Sequence, residues 1–127
     1  MLRWIVGRAE PLPPPVLARY PELAEARFRR GGLPVRVGGW ALGQPSVAAI
    51  TLWRTIFLAP GTTLDPELLL HELRHVHQFH TSLSFPVRYL LESVVRGYRQ
   101  NRFEVDARAY ARQRLGADPP ATRRGDR

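Results

Sequence analysis

The segment Leu70-His71-Glu72-Leu73-Arg74-His75-Val76-His77-Gln78 holds the residues of this chain best suited to chemistry. Two histidines four positions apart, with a glutamate directly after the first, make the pattern H-E-x-x-H. On a helix, four residues are a little over one turn, so the two imidazoles stand only ~40° apart around the axis. His71 and His75 can then grip one divalent metal, and Zn²⁺ suits a pair of neutral imidazoles. Glu72 lies about 100° around the helix from His71. From there it faces the water that such a metal activates rather than the metal itself, which is the place for a general base. A buried helix with these three polar groups at its middle must satisfy them, and a metal does so. The plainer alternative is a core histidine hydrogen-bonded to backbone beside an exposed partner.

A catalytic zinc site takes a third protein ligand and keeps a fourth position open. The chain has no cysteine, so the ligands must be histidine or carboxylate. His77 and His80 turn away from His71 by ~120° and ~180°, respectively, and fit the rim or the surface. Farther along, Phe103, Ala107 and Tyr110 recur at helical spacing with Glu104 beside them. Glu104 is thus a candidate ligand, or else a solvated residue or an arginine partner.

The two segments, HELRHVHQF and NRFEVDARAYA, resemble the gluzincin branch of the zincin metallopeptidases. They are most similar to its very small members and to bacterial domains carrying HE-x-x-H-V-x-Q and then F-E-x-x-A. The likeness runs from Thr51 to Ala111. It implies that Glu104, on a second helix, is the third ligand, giving the metal set His71, His75 and Glu104 with Glu72 catalytic. There is one departure. Larger gluzincins buttress a zinc histidine with an aspartate four residues beyond the ligand glutamate, and Arg108 stands there in this chain. Asp106 and Asn101 are the nearby polar substitutes; partners of this kind orient ligand imidazoles.

Several elements must position these residues. Asp65 suits a helix N-cap, Pro66 the first helical position and Glu67 the first turn, with Leu68, Leu69, Val76 and Phe79 on apolar faces. Upstream, residues 1–15 form an N-terminal arm that ends in the stiff spacer Pro11-Leu12-Pro13-Pro14-Pro15. Pro21 to Arg30 predicts a short helix with Leu23, Ala24 and Phe28 inward, stopped by Gly31-Gly32. Leu33 to Val37 predicts a strand ended by Gly38-Gly39. Val47 to Leu52 and Thr55 to Leu58 predict one bent strand or a hairpin at Trp53-Arg54, before a turn at Pro60-Gly61. Between the two metal motifs, Val87, Leu90, Leu91, Val94, Val95 and Tyr98 alternate with Arg88, Glu92, Arg96 and Arg99. A basic amphipathic helix can lie on a membrane, but the stripe more simply predicts a core-facing helix that returns the chain so that Glu104 reaches the metal. Asp118 to Arg127 has the composition of a disordered tail.

At 127 residues the chain is expected to be one α+β domain. The expected architecture is zincin-like: a small N-terminal β-sheet packed on an active-site helix, then a connecting helix and a glutamate helix. The expected function is zinc-dependent hydrolysis of a peptide or protein substrate. That substrate would lie along an exposed strand, Thr55 to Leu58, with Tyr98, Tyr110 or an arginine available to the oxyanion. The alternative is a non-catalytic zinc-binding or partner-binding module of the same fold.

Charge narrows the partners. Every one of the 19 basic residues is arginine, against 11 acidic ones, for a net charge of +8. The arginines are scattered, only Arg29-Arg30 and Arg123-Arg124 being adjacent, and no groove-reading motif accompanies them, so nucleic acid is expected to bind at most non-specifically. No apolar run is long enough for a transmembrane helix, and the one at the N-terminus is too short for a signal peptide. A cytoplasmic location is the expectation.

Overall fold

The computed structural model describes residues 3–32, 34 and 48–116. Their elements follow in the order α1 (Arg3–Val6), β1 (Arg8–Ala9), α2 (Pro14–Arg19), a 3₁₀ turn (Pro21–Glu25), β2 (Arg27–Arg30), β3 (Ala49–Leu52), β4 (Thr55–Leu58), α3 (Pro66–Thr81), α4 (Phe85–Arg96) and α5 (Arg102–Gly116). The fold is α+β, with a small mixed sheet in the order β1-β2-β4-β3. β1 runs antiparallel to β2, β2 parallel to β4, and β4 antiparallel to β3.

β3 and β4 form a hairpin around Trp53-Arg54. Trp53 takes a φ of 55°, the left-handed backbone that two-residue hairpin turns favour but that bulky side chains rarely adopt. The turn is tied down from outside. Arg54 donates from Nε to the Glu25 carbonyl (3.0 Å), and the Arg54 carbonyl accepts from the amide of Arg27 (2.8 Å). In β3, Ala49 and Thr51 are buried and Ile50 and Leu52 half-buried, the alternation of a strand with one covered face. Ile56, Phe57 and Leu58 of β4 are all buried, as expected of a strand with neighbours on both sides.

α3 is the centre of the molecule. The Asp65 carboxylate accepts from the Leu68 amide (3.4 Å) and Pro66 occupies the first turn, so the helix starts where its capping residues predict. Leu69, Leu70, Leu73 and Val76 are fully buried and pack with Leu23, Ile56, Leu58 and Ala111. Each such side chain contributes roughly 1.5–3 kcal/mol through burial. α3 packs most extensively against α5 and next against β3, which brings residues from those two elements to its polar face.

Four expectations need correction. The predicted Pro21–Arg30 helix stops after one 3₁₀ turn. Leu23 and Phe28 do point inward, but Ala24 is exposed and Phe28 does so from a strand. The reason is tertiary: Arg27–Arg30 pairs with β1 on one side and β4 on the other, and this outweighs helix propensity. The proline-rich segment is not a free spacer, because Pro14 and Pro15 open α2, and the arm before it contributes β1 to the sheet. Gly7, at φ 71°, joins α1 to β1 where a Cβ would meet the Arg30 carbonyl oxygen at 2.5 Å. The strand Thr55–Leu58 is internal, and β1 and β3 are the edges among the described residues. Finally, Val87, Leu90, Leu91, Val94 and Val95 of α4 face solvent rather than the core; Tyr98 alone of that stripe is half-buried. The expected strand Leu33–Val37, Val47 and the tail Asp118–Arg127 lie outside the described residues.

Arg30 joins the N-terminal arm to the approach of α3. It forms an ion pair with Glu10 (2.8 Å), donates to the Ala59 carbonyl (2.8 Å) and reaches the Thr62 carbonyl. The hydrogen bond from Arg30 holds the Glu10 carboxyl below its ordinary value of 4.5. A carboxyl with a lowered folded-state pKa stabilises the fold above its unfolded value and ceases to do so as pH falls. Glu10→Gln is therefore expected to cost about 0.5–1 kcal/mol at neutral pH for this partly exposed pair. The gap from wild type should close as pH falls through the carboxylate range. Urea titrations at neutral and acidic pH test this; a gap that widened in acid would contradict it.

Candidate metal centre

His71 and His75 leave α3 on one face and meet the first turn of α5. Asn101 sets where that turn begins. Fully buried, it donates from Nδ2 to the Tyr89 carbonyl (3.0 Å) and to Ser93 Oγ (2.9 Å), while its Oδ1 accepts from the Phe103 amide (2.8 Å). One side chain thus pins α4 to the start of α5 and caps α5, leaving no polar atom of its amide unpaired. Glu104 follows three residues later, 3% exposed, and points back at α3.

The contacts are short and specific. Glu104 Oε1 lies 2.8 Å from His71 Nε2, and Glu104 Oε2 lies 3.2 Å from His75 Nε2. Each imidazole thus meets its own oxygen of one buried carboxylate at hydrogen-bond distance, and two imidazoles with a carboxylate are a donor set that suits zinc. Glu72 belongs to the same cluster: donors of His71, Glu72 and His75 lie within 4.8 Å of one another. Its contacts differ from those of Glu104, however. Glu72 Oε2 is 4.0 Å from His71 Nε2, and Oε1 accepts from Thr51 Oγ1 of β3 at 2.9 Å. Of the two carboxylates, Glu104 is the one that reaches both imidazoles. Glu72 is held to the side.

Behind the histidines lies a second row. His75 Nδ1 is 2.7 Å from Gln78 Oε1, so the ring N–H there donates to the amide oxygen and Nε2 is left facing Glu104. Gln78 in turn donates to Asp106 Oδ2 (3.0 Å) and to the Phe103 carbonyl (3.1 Å), and Arg74 donates to the same Asp106 oxygen (2.7 Å). Tyr89 donates its hydroxyl to Glu104 Oε2. Burial opposes the charged form of His75, but the hydrogen bond to Glu104 and the charges of Glu72 and Glu104 outweigh it and push its pKa up to about 9. Burial also opposes ionisation of Glu104, and the hydrogen bonds from His71 and His75 override it and hold that carboxyl far below its usual range. Burial, then the neighbouring carboxylates, push Tyr89 and Tyr98 upward, so both are phenols at neutral pH.

The chain matches no protein-family model, no curated protein and no solved structure.

The site opens into a cleft of about 240 Å³ between β3, α3 and α4. Thr51, Glu72, His75, Tyr98 and Glu104 supply its polar groups, and Ile50, Leu52, Phe79, Phe85, Pro86 and Leu90 its apolar walls. An apolar cleft with a few convergent polar groups is the usual form of a ligand site.

The four residues singled out by spacing and resemblance, His71, Glu72, His75 and Glu104, come together here. His77 and His80 do not join them: His77 faces Glu25 (3.2 Å) and the Tyr110 ring, and His80 is exposed. Tyr110 packs on Arg74 and His77, away from the cleft, whereas Tyr98 lines it. Arg108 donates to the Arg99 carbonyl and takes no part. Three participants had no assigned role in the sequence: Gln78, Thr51 and Tyr89. Gln78 stands three residues after His75, a spacing at which helix side chains meet. Nothing in the order of residues placed Thr51 or Tyr89.

Proposed function

We propose that this chain is a zinc-dependent metallopeptidase with a zincin-like fold, in which His71, His75 and Glu104 hold Zn²⁺ and Glu72 is the general base. The observation that supports the reading is the meeting of two imidazoles on one buried carboxylate, with a second carboxylate held beside them in an apolar cleft. Bound there, the metal would polarise a scissile carbonyl and acidify a water. Glu72 would take a proton from the attacking water as its oxygen adds to the carbonyl carbon, and would pass it to the amine nitrogen as the C–N bond breaks. Peptide and water are thereby converted to a carboxylic acid and an amine. Gln78 holds the His75 ring and Asp106 holds Gln78, the task that an aspartate at the position of Arg108 performs in the larger gluzincins. Of the two phenols that line the cleft, Tyr89 is bound to Glu104, and Tyr98 is the candidate donor to the developing oxyanion.

The edge strand β3 is the natural seat for substrate, since Ala49 to Leu52 line the cleft and β4 occupies their other side. A peptide added there would pair main chain to main chain, with alternate side chains entering the apolar wall. Thr51, in that strand, is a positioning residue for Glu72. Thr51→Val keeps the shape and removes the hydrogen bond, so kcat is expected to fall roughly tenfold, with KM and zinc content little changed. A fall in zinc content matching the fall in rate would contradict the assignment.

The test of the proposed function is zinc-dependent cleavage of a broad peptide library by the purified chain, abolished by a chelator and restored by Zn²⁺. Zinc binding without cleavage of any member would leave a non-catalytic module instead.

A further inference from the structure

α4 is turned inside out relative to an ordinary surface helix. The side that meets the body carries Phe85, Tyr89 and Ser93, through which it packs on His75 and Phe103 and bonds Glu104 and Asn101. The outer side carries Val87, Leu90, Leu91, Val94 and Val95, exposed by 57% to 83%. Five branched apolar side chains on one contiguous helix face form a patch of the kind that marks an interaction site. Leu83, fully exposed, stands just before the helix. No helix among the described residues is long and apolar enough to cross a membrane.

We propose that the outer face of α4 docks on an anionic lipid bilayer, lying in the plane of the interface. Charge chooses this occupant. Arg88 is exposed at the edge of this face, three residues before Leu91, and Arg96, Arg99 and Arg102 are exposed between the end of α4 and the start of α5. Glu92 is the one acid of α4 and already pairs with Arg102 (2.9 Å) and Arg96 (3.2 Å). An apolar helix face rimmed by arginine is the pattern that sinks into the headgroup boundary, with long cationic side chains reaching the phosphates. A second copy of the chain would bring the same exposed arginines against this rim.

The surface is continuous with the cleft. Leu90 belongs to the outer face and lines the cleft wall, and Pro86 lines it one turn earlier. Trp53, 63% exposed, lies against Phe79, which stacks edge-on with Phe85 at the start of α4. Tryptophan favours the membrane–water boundary. Docking through α4 sets the mouth of the cleft at the bilayer surface, where chains held at the membrane present their peptide segments. The docking itself does not depend on metal or on cleavage.

The experiment is co-flotation of the whole chain with phosphatidylcholine vesicles, with and without phosphatidylglycerol. Wild type is expected to float with the anionic vesicles, far less with neutral ones, and to release as salt rises. Arg88→Gln and Arg99→Gln should each weaken binding roughly fivefold. The triple variant Leu91→Ser/Val94→Ser/Val95→Ser should lose it by at least about tenfold. These residues are exposed, so an unchanged circular dichroism spectrum and melting curve will show that the variant is folded. Wild type that stays unbound, or a triple variant that floats as well as wild type, would overturn the proposal. So would a wild-type dimer in sedimentation that the triple variant abolishes, because the face would then belong to a second copy.

Discussion

Glu72→Gln is expected to keep its zinc and lose peptide cleavage by roughly a hundredfold to ten-thousandfold, the range that proton transfer by a positioned base supplies. The substitution preserves side-chain shape and leaves an amide oxygen to accept from Thr51, so neither α3 nor its contact with β3 should change. What disappears is the capacity to take a proton. The two imidazoles and Glu104 meet without help from Glu72, which stands 4.0 Å from His71 Nε2, so metal content should match wild type. Activity and zinc, measured on the same preparation, separate the two roles. Undiminished cleavage by Glu72→Gln would remove Glu72 from the chemistry.

Gln78→Leu should weaken zinc binding by roughly tenfold to a hundredfold, the cost of losing an outer partner that orients a ligand imidazole. Gln78 accepts from His75 Nδ1 and delivers the hold of Asp106 and Arg74 to that ring. Leucine fills comparable space, but leaves a buried ring N–H without its acceptor and the Asp106 carboxylate without one of its donors. Competitive titration against a zinc chelator reads the effect. Gln78→Glu restores an acceptor for Nδ1 and should recover part of the affinity. Equal affinity in Gln78→Leu and wild type would mean that the row behind the histidines does not orient them.

Much of this site was legible in the order of residues because local rules placed it. Asp65 and Pro66 start α3, and a four-residue interval puts His71 and His75 on one face whatever surrounds them. Spacing alone gave Glu104 only as a carboxylate beside an apolar stripe, and the resemblance was needed to single it out as a ligand; that it turns toward α3 depends on Asn101, whose bonds to Tyr89 and Ser93 come from another helix. The stripe of α4 was visible, but its direction was not. Periodicity says that one face is apolar and not which face the body covers, and here aromatic, hydroxyl and carboxylate contacts claim the opposite side. The run Arg27 to Arg30 hid a strand because three arginines and one phenylalanine fit a helix surface as well as a sheet. Its parallel pairing with β4, which moved the edge of the sheet to β3, is a long-range contact that no local pattern encodes.

In the proposed site one zinc is held by His71, His75 and Glu104. This is tested most directly by elemental analysis after loading with Zn²⁺ and removal of the excess, on wild type and on the His71→Ala/His75→Ala double mutant. Wild type should retain about one zinc per chain, as a three-ligand site requires, and the double mutant essentially none, with its helical content intact. A folded double mutant that retains as much zinc as wild type would contradict the account.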